Sequence, residues 1–204
     1  MDAHLRAGVA IYNAGGYHAA HDAWEDRWLN LGDGPDERFL HGLIQFTAAV
    51  YHATEGNDSG AVGLAESAQG YLADLPADYR GVNVGEVREF LADLEADPDL
   101  LAASEPLPLR YEGEALFPAD LDLEGTCVAA AVLAEEEGYD EEAIEHAAGY
   151  AREDIAEGGT GSPFVPLLFD FVREPDNRGI VAQRLGEHVQ RRRRREDDVE
   201  GLFD

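Results

Sequence analysis

Lysine is absent from this chain: all 15 basic residues are arginine, they face 43 acids, and the formal net charge is −28 over 204 residues. Cysteine and methionine each occur once. A single cysteine excludes a disulfide framework and a cysteine-ligated zinc site. Apolar runs are short, none approaching the ~18 residues that a membrane-spanning helix needs. The opening stretch, from Met1 to Val9, has neither the basic nor the apolar region of a secretory signal. A cytoplasmic protein with no membrane partner is therefore expected. The apolar fraction of 45% sets the chain apart from disordered acidic sequences. One large domain or two small ones fit the length, and either can bury a core.

The charge admits two readings. An acidic surface repels nucleic acid and recruits cations or a basic partner. The alternative, which the missing lysine favours, is adaptation to molar salt. At ~1 M salt the Debye length is only ~3 Å, so repulsion among surface acids costs little. Short, strongly hydrated carboxylates suit such a solvent, whereas lysine stems add exposed apolar area. A halophilic source, a haloarchaeon or another salt-in organism, is expected on this reading. Most of the acids then serve solvation, and nucleic acid is the least suitable partner.

The pattern predicts helix nearly throughout. Helices are expected over residues 1–14, ending at Gly15-Gly16, over 17–31, and over 36–54 after Pro35. A fourth follows the Asn57-Asp58-Ser59-Gly60 cap and runs to Leu75, and a fifth runs to Ala96 from a capping-box-like Asn83 and Glu86. Residues 97–120 contain Pro98, Pro106, Pro108 and Pro118 and form the best connector, with a short strand pair expected around 107–111 and 114–116. Helix resumes over 123–137, from Asp140, from Ser162-Pro163 and from Asn177 into the arginine run 191–195. Inward faces are expected for Ile144, Ala148, Ala151 and Ile155, for Phe164, Leu167, Leu168 and Phe171, and for Ile180, Val181, Leu185 and Val189. The fold class is all-α: a helical bundle over 1–96, a connector over 97–120, C-terminal helices over 121–195 and an acidic tail over 196–204.

Chemistry concentrates in the second and third helices. At ~100° per residue, Tyr17, His21, Trp24 and Trp28 form one stripe, with Glu25 beside it one turn after His21. His21 is thus expected on the buried face. The third helix carries an apolar stripe of Phe39, Leu43, Phe46 and Val50, opposite His41, Gln45, Ala48 and His52. The short loop between the two helices makes them antiparallel neighbours, so the His21/Glu25 face is expected to meet Gln45 and His52. Three readings stay open. The residues can form a buried hydrogen-bond network that also satisfies the Trp24 and Trp28 indoles. His21, Glu25 and His52 can ligate one divalent metal ion. Glu25 can also fix the tautomer of His21 as an acid–base pair. The pattern is not the zincin H-E-x-x-H.

The run from Gly16 to Trp28 resembles the signature G-x-(Y/F)-x-x-A-H-E-x-x-E-x-x-W of the DUF309 (TTHA0068-like) family. Gly42-Leu43-Ile44-Gln45, His52, Gly56-Asn57 and Gly60-Ala61 resemble its second block, G-L-I-Q … H … G-N … G-A. The resemblance covers about residues 1–96 and implies a compact all-α bundle. It carries over to His21, Glu25, Trp28, Gln45 and His52, departs at Asp22, where the family often has Glu, and implies no activity.

Other features read as structural. Arg191 to Arg195 are expected to pair with Glu196, Asp197 and Asp198 at a helix C-terminus, and Asp170 with Arg173 or Arg178. Gly158 to Ser162 reads as a flexible linker, Cys127 as a small buried residue, and Val199 to Phe203 as a tail that could dock on the body or a partner. The favoured function is a non-catalytic interaction or assembly module, with a protein partner or a second copy. The alternative is a metal-binding protein or small metal-dependent hydrolase using His21, Glu25 and His52.

Overall fold

A computed structural model describes residues 1–158 and 161–200, with side chains described as far as Asp198. The chain is all-α and forms two units, Met1–Leu121 and Asp122–Asp204. The first contains α1 (Asp2–Asn13), α2 (Tyr17–Trp28), α3 (Pro35–Thr54), α4 (Asp58–Leu72), α5 (Val84–Ala96), the short α6 (Leu100–Ala103), and the strands β1 (Arg110–Tyr111) and β2 (Glu114–Ala115). The second contains α7 (Leu123–Glu137), α8 (Glu141–Ala156), α9 (Phe164–Arg173) and α10 (Arg178–Glu200).

In the first unit α3 is the central element, packed on α2 and α4, with α1 against α2 and α5 against α4. Phe39, Leu43, Phe46 and Val50 are fully buried along the predicted apolar stripe of α3. Close helix packing rests on two glycines. A Cβ at Gly8 would lie 2.1 Å from Trp24 Nε1, and one at Gly42 would lie 2.5 Å from a Leu72 methyl. Trp24 is fully buried on the α1 backbone and donates its indole N–H to the Leu5 carbonyl at 3.3 Å.

Helix ends depart from the sequence pattern where side chains intervene. α2 stops at Trp28 rather than residue 31, because the Asn30 amide takes the Asp26 carbonyl at 2.8 Å and Leu31 N–H closes a tighter turn onto Trp28. α4 stops at Leu72. Asn83 and Glu86 do not form a capping box. Asn83 Oδ1 accepts instead from Arg110 N–H (2.9 Å), and its amide donates to Glu86 (2.8 Å).

Residues 97–121 lie within the first unit. The single side chain of Asn13 holds them at the end of α1: Nδ2 donates to the Leu109 and Leu116 carbonyls (2.7 and 2.8 Å), and Oδ1 accepts from Leu109 N–H (2.8 Å). Tyr12 adds a hydroxyl bond to the Leu107 carbonyl at 2.9 Å. The antiparallel β1–β2 pair turns through Glu112 (φ 52) and Gly113 (φ 88), and a second tight turn uses Arg80 (φ 55) and Gly81 (φ 79). Two consecutive left-handed residues are what a two-residue hairpin of this hand requires. Glu112 N–H donates to the Gly81 carbonyl at 2.7 Å and joins the two turns.

In the second unit, Asp122 and Asp140 cap α7 and α8 through the Gly125 and Ala143 amides, at 2.9 and 3.1 Å, and left-handed Gly138 (φ 73) ends α7. Two expected inward residues lie outside: Ile155 and Ile180 are each 53% exposed, at the ends of faces whose centres are Ala151 and Val181. Arg178 is buried and pairs with Glu137, not Asp170. Its Nε also donates to the Phe171 carbonyl at 3.0 Å, tying three helices where an aspartate pair was expected. Cys127 is buried, and burial pushes its thiol up to about 11, which removes thiolate chemistry. α10 continues past the arginine run to Glu200. Of the expected loop and tail, Gly159, Thr160 and residues 201–203 lie outside the described residues.

Both tryptophans lie in the first unit, so indole fluorescence reports its unfolding. Gly8→Ala should lower the denaturant midpoint, at about 1–3 kcal/mol for an overpacked contact. Gly63→Ala, on α4 with nothing within 4 Å of the new Cβ, should be neutral or stabilising by up to about 1 kcal/mol. Equal effects of the two changes would contradict the packing described.

Candidate functional site

The half-buried polar side chains of the first unit gather at three places. At the start of α3, Trp28 Nε1 donates to Glu37 Oε1 at 2.8 Å. His41, one turn further on, lies between Trp28 (ring centroids 4.6 Å) and Tyr71 of α4, on which it stacks at 3.9 Å. His41 Nδ1 is 3.6 Å from Glu37 Oε1, too long for a hydrogen bond. One imidazole between two aromatic rings thus joins α2, α3 and α4. Trp28 was legible as a site residue. Glu37 and Tyr71 were not, although Glu37 and His41 stand at i,i+4 spacing.

The second place is the outer edge of α2. Its buried face is Ala19, Ala20, Ala23 and Trp24. The small alanines let the neighbouring helices close in, and this pushes His21 and Glu25 to the margin, with side chains 31% and 43% exposed. His21 is therefore not on the buried face that the aromatic stripe implied. His21 Nε2 lies 3.7 Å from Glu25 Oε1. Ligand atoms of His21, Asp22 and Glu25 all fall within 4.8 Å of one another. One imidazole and two carboxylates are a donor set suited to a divalent ion. Asp22, the departure from the family pattern, is the third member.

His52 is at the third place, the α3–α4 turn. Its Nδ1 accepts from the Asn57 amide at 2.8 Å, which leaves the remaining proton of a neutral ring on Nε2. Asn57 Oδ1 in turn accepts from Gly60 N–H at 3.2 Å and caps α4. Gly56 is left-handed (φ 69), a Cβ at Gly60 would lie 2.6 Å from Asn57 Nδ2, and Ala61 is fully buried. The second sequence block is thus a helix stop followed by a helix start. Among the described residues, His52 belongs to no three-ligand group with His21 and Glu25. Gln45 is half-buried on α3, and the structure gives it no bond to His21 or Glu25. Trp24 is a core residue, as its Gly8 contact shows.

Asp36, in the first turn of α3, holds the Arg80 turn. Its carboxylate accepts from Arg80 Nε at 2.9 Å and from the Tyr79 hydroxyl at 2.7 Å. The Arg80 hydrogen bond holds the Asp36 carboxyl below the ordinary carboxylate range, against partial burial.

Two outcomes follow. Asn57→Ala and His52→Ala should each destabilise the first unit, Asn57→Ala by about 1 kcal/mol as the loss of an N-cap and His52→Ala by less, in tryptophan-detected urea melts. For Asp36, the folded-state pKa lies below the unfolded one, so its contribution is present above the ordinary carboxylate range and is lost as pH falls through the lowered value. The acid limb of the stability–pH curve should therefore flatten in Asp36→Asn. An unchanged acid limb would remove Asp36 from that role.

Residues 5–64 match the family model of a domain of unknown function, DUF309. The match begins within α1 and ends within α4, so it contains Gly8, Trp24, Gly42, His52 and the Asn57 cap, and leaves the second unit outside. An uncharacterized protein of Aquifex aeolicus (strain VF5) is 26% identical over 107 residues, which are 52% of this chain and 31% of that protein. The first unit is thus similar to DUF309 proteins over its first three helices and the start of the fourth.

Proposed function

We propose that the first unit is a non-catalytic interaction or assembly module of the DUF309, TTHA0068-like type, acting in the cytoplasm of a salt-adapted, haloarchaeal cell. Its partner is a protein or a second copy of this chain, not nucleic acid or membrane. The observation that carries this reading is where the motif side chains are spent. Trp28 holds Glu37 and His52 holds the Asn57 cap, beside a Trp24 outside the motif that holds α1. Trp28 and His52 thus lock helices and a turn together and do not converge with His21 and Glu25 on one reacting centre. Among the described residues the buried polar side chains are Thr47, Thr126 and Arg178, so no carboxylate is buried. That distribution supports solvation as the role of the acids. Among the described residues no helix is long and apolar enough to cross a membrane.

A second reading has its own observation. A metal-binding protein or small metal-dependent hydrolase is supported by the proximity of His21, Asp22 and Glu25, with Asp22 in the place first given to His52. Metal analysis of protein purified without a tag, beside His21→Ala, separates the two. The module reading expects no stoichiometric divalent ion in either. About one ion per chain, lost in the variant, would establish the metal reading in its place.

Salt adaptation has an independent readout. Raising KCl from 0.1 to ~2 M compresses the Debye length several-fold, so the melting temperature should rise by roughly 10 °C, a few kcal/mol for a chain of this size. A melting temperature indifferent to KCl would overturn it.

A further inference from the structure

We propose that the second unit binds a small phosphate-bearing metabolite, in a cavity of about 580 Å³ between the segment entering α9 and the C-terminal half of α10. That volume is in the range of small-molecule sites. Two sequence features that read separately as structural meet there: the glycine-containing segment before α9 and the arginine run.

His188, Arg191 and Arg195 stand three and four residues apart, on one side of α10, and line one wall. Within the arginine run the partners are distributed unequally. Arg192 is taken by Asp154, by Glu153 at 3.0 Å and by Glu196 at 3.2 Å. Arg193 is taken by Glu142 at 3.0 Å and by His146. Arg191 makes a hydrogen bond to the Glu187 carbonyl at 3.1 Å and, like Arg195, has no carboxylate partner among the described residues. Two cations at i,i+4 repel each other, and on a chain of net charge −28 acids to neutralise them are abundant. The structure leaves both guanidiniums at one cavity instead. Guanidinium forks match phosphate oxygens in geometry and charge.

The opposite wall defines the rest of the ligand. Pro163 supplies apolar surface, and Phe164, which also lines the cavity, is itself only 2% exposed. Ser162 Oγ accepts from Phe164 N–H at 3.3 Å, and the positive end of α9 adds to the field. Burial and the neighbouring Arg191 lower the His188 pKa, against Glu187, and its ring adds a hydrogen-bonding group to the cavity. Two carboxylates also line the cavity, Asp154, which is paired with Arg192, and Glu157, and they limit the anion to one compact group near Arg191 and Arg195. The concave shape, the two lining carboxylates and the nearby Glu153, Glu187 and Glu196 exclude a long polyanion such as a nucleic-acid strand.

The test is calorimetric titration of the full chain with inorganic pyrophosphate, AMP and ATP at low salt. The variants are Arg191→Ala/Arg195→Ala and Arg195→Glu. Arg195 is exposed, and circular dichroism checks that the second variant stays folded. Arg184→Ala/Arg194→Ala removes the same charge from the same helix outside the cavity. Saturable binding is expected in the parent chain, at least ~10-fold weaker in both cavity variants and within ~2-fold in the control pair. Tighter binding of ATP than pyrophosphate places a nucleotide ring on the Pro163 wall. Equal binding identifies the phosphate group alone as the ligand chemistry. The absence of saturable binding for all three probes would overturn the proposal. Equal weakening in cavity and control variants, or tighter binding of a single-stranded oligonucleotide than of ATP, would overturn it as well.

Discussion

The contact between the Trp24 indole and the backbone of Gly8 is the constraint on which the first unit depends. The ring occupies the space where any other residue at position 8 would carry a Cβ, so α1 and α2 approach to backbone distance. Burying so large a side chain contributes roughly 2–3 kcal/mol, and its N–H must be satisfied or that gain is offset. The Leu5 carbonyl, one turn before Gly8, accepts it. Small residues extend the arrangement: Ala19, Ala20 and Ala23 on α2 and Gly42 against Leu72. Polar side chains cannot occupy so thin a seam, and they are therefore displaced to its edges.

That displacement explains the three polar groupings. His41 stacks between Trp28 and Tyr71, His52 supports the Asn57 cap, and His21 sits at an open edge beside Asp22 and Glu25. The three are separate devices. The first two hold helices, since every group in them faces a neighbour of the same unit. Only the third leaves ligand atoms at the surface, and for that reason the metal alternative attaches to it.

The second unit uses its arginines differently. Arg178 is buried and meets the more exposed Glu137 and the Phe171 carbonyl, where desolvation makes a planar multi-donor group more suitable than an ammonium. Arg192 lies over the Tyr150 ring at 4.4 Å while meeting three carboxylates. Exposed ion pairs are individually weak and salt-screened, so the contacts of the buried Arg178 and the network around Arg192 matter more to the unit than the number of its charges. Arginine in place of lysine is thus a packing feature as well as a surface one.

Local features were legible in the sequence because their causes are local. The stripe from Phe39 to Val50, the Asn57 and Asp140 caps and the stop at Gly138 each follow from residues within a turn or two of one another. The all-α class and the short strand pair followed from the same signals. Long-range partners were not legible. Asn13 reaches Leu109 and Leu116, and Arg178 reaches Glu137, across sequence separations that no periodicity encodes. The candidate site was legible in its residue types and not in its grouping. A helical stripe fixes which side chains share a face, whereas the width of the seam, set by Gly8 and the alanines of α2, decides which of them are buried. The sequence by itself thus determined the helices, several of their caps and the acidic, lysine-free character of the chain. Only the tertiary structure decided that His41 stacks between Trp28 and Tyr71, that Asn13 holds Leu109 and Leu116, and that the arginine run faces the segment entering α9 across a cavity, because those outcomes depend on distances between elements.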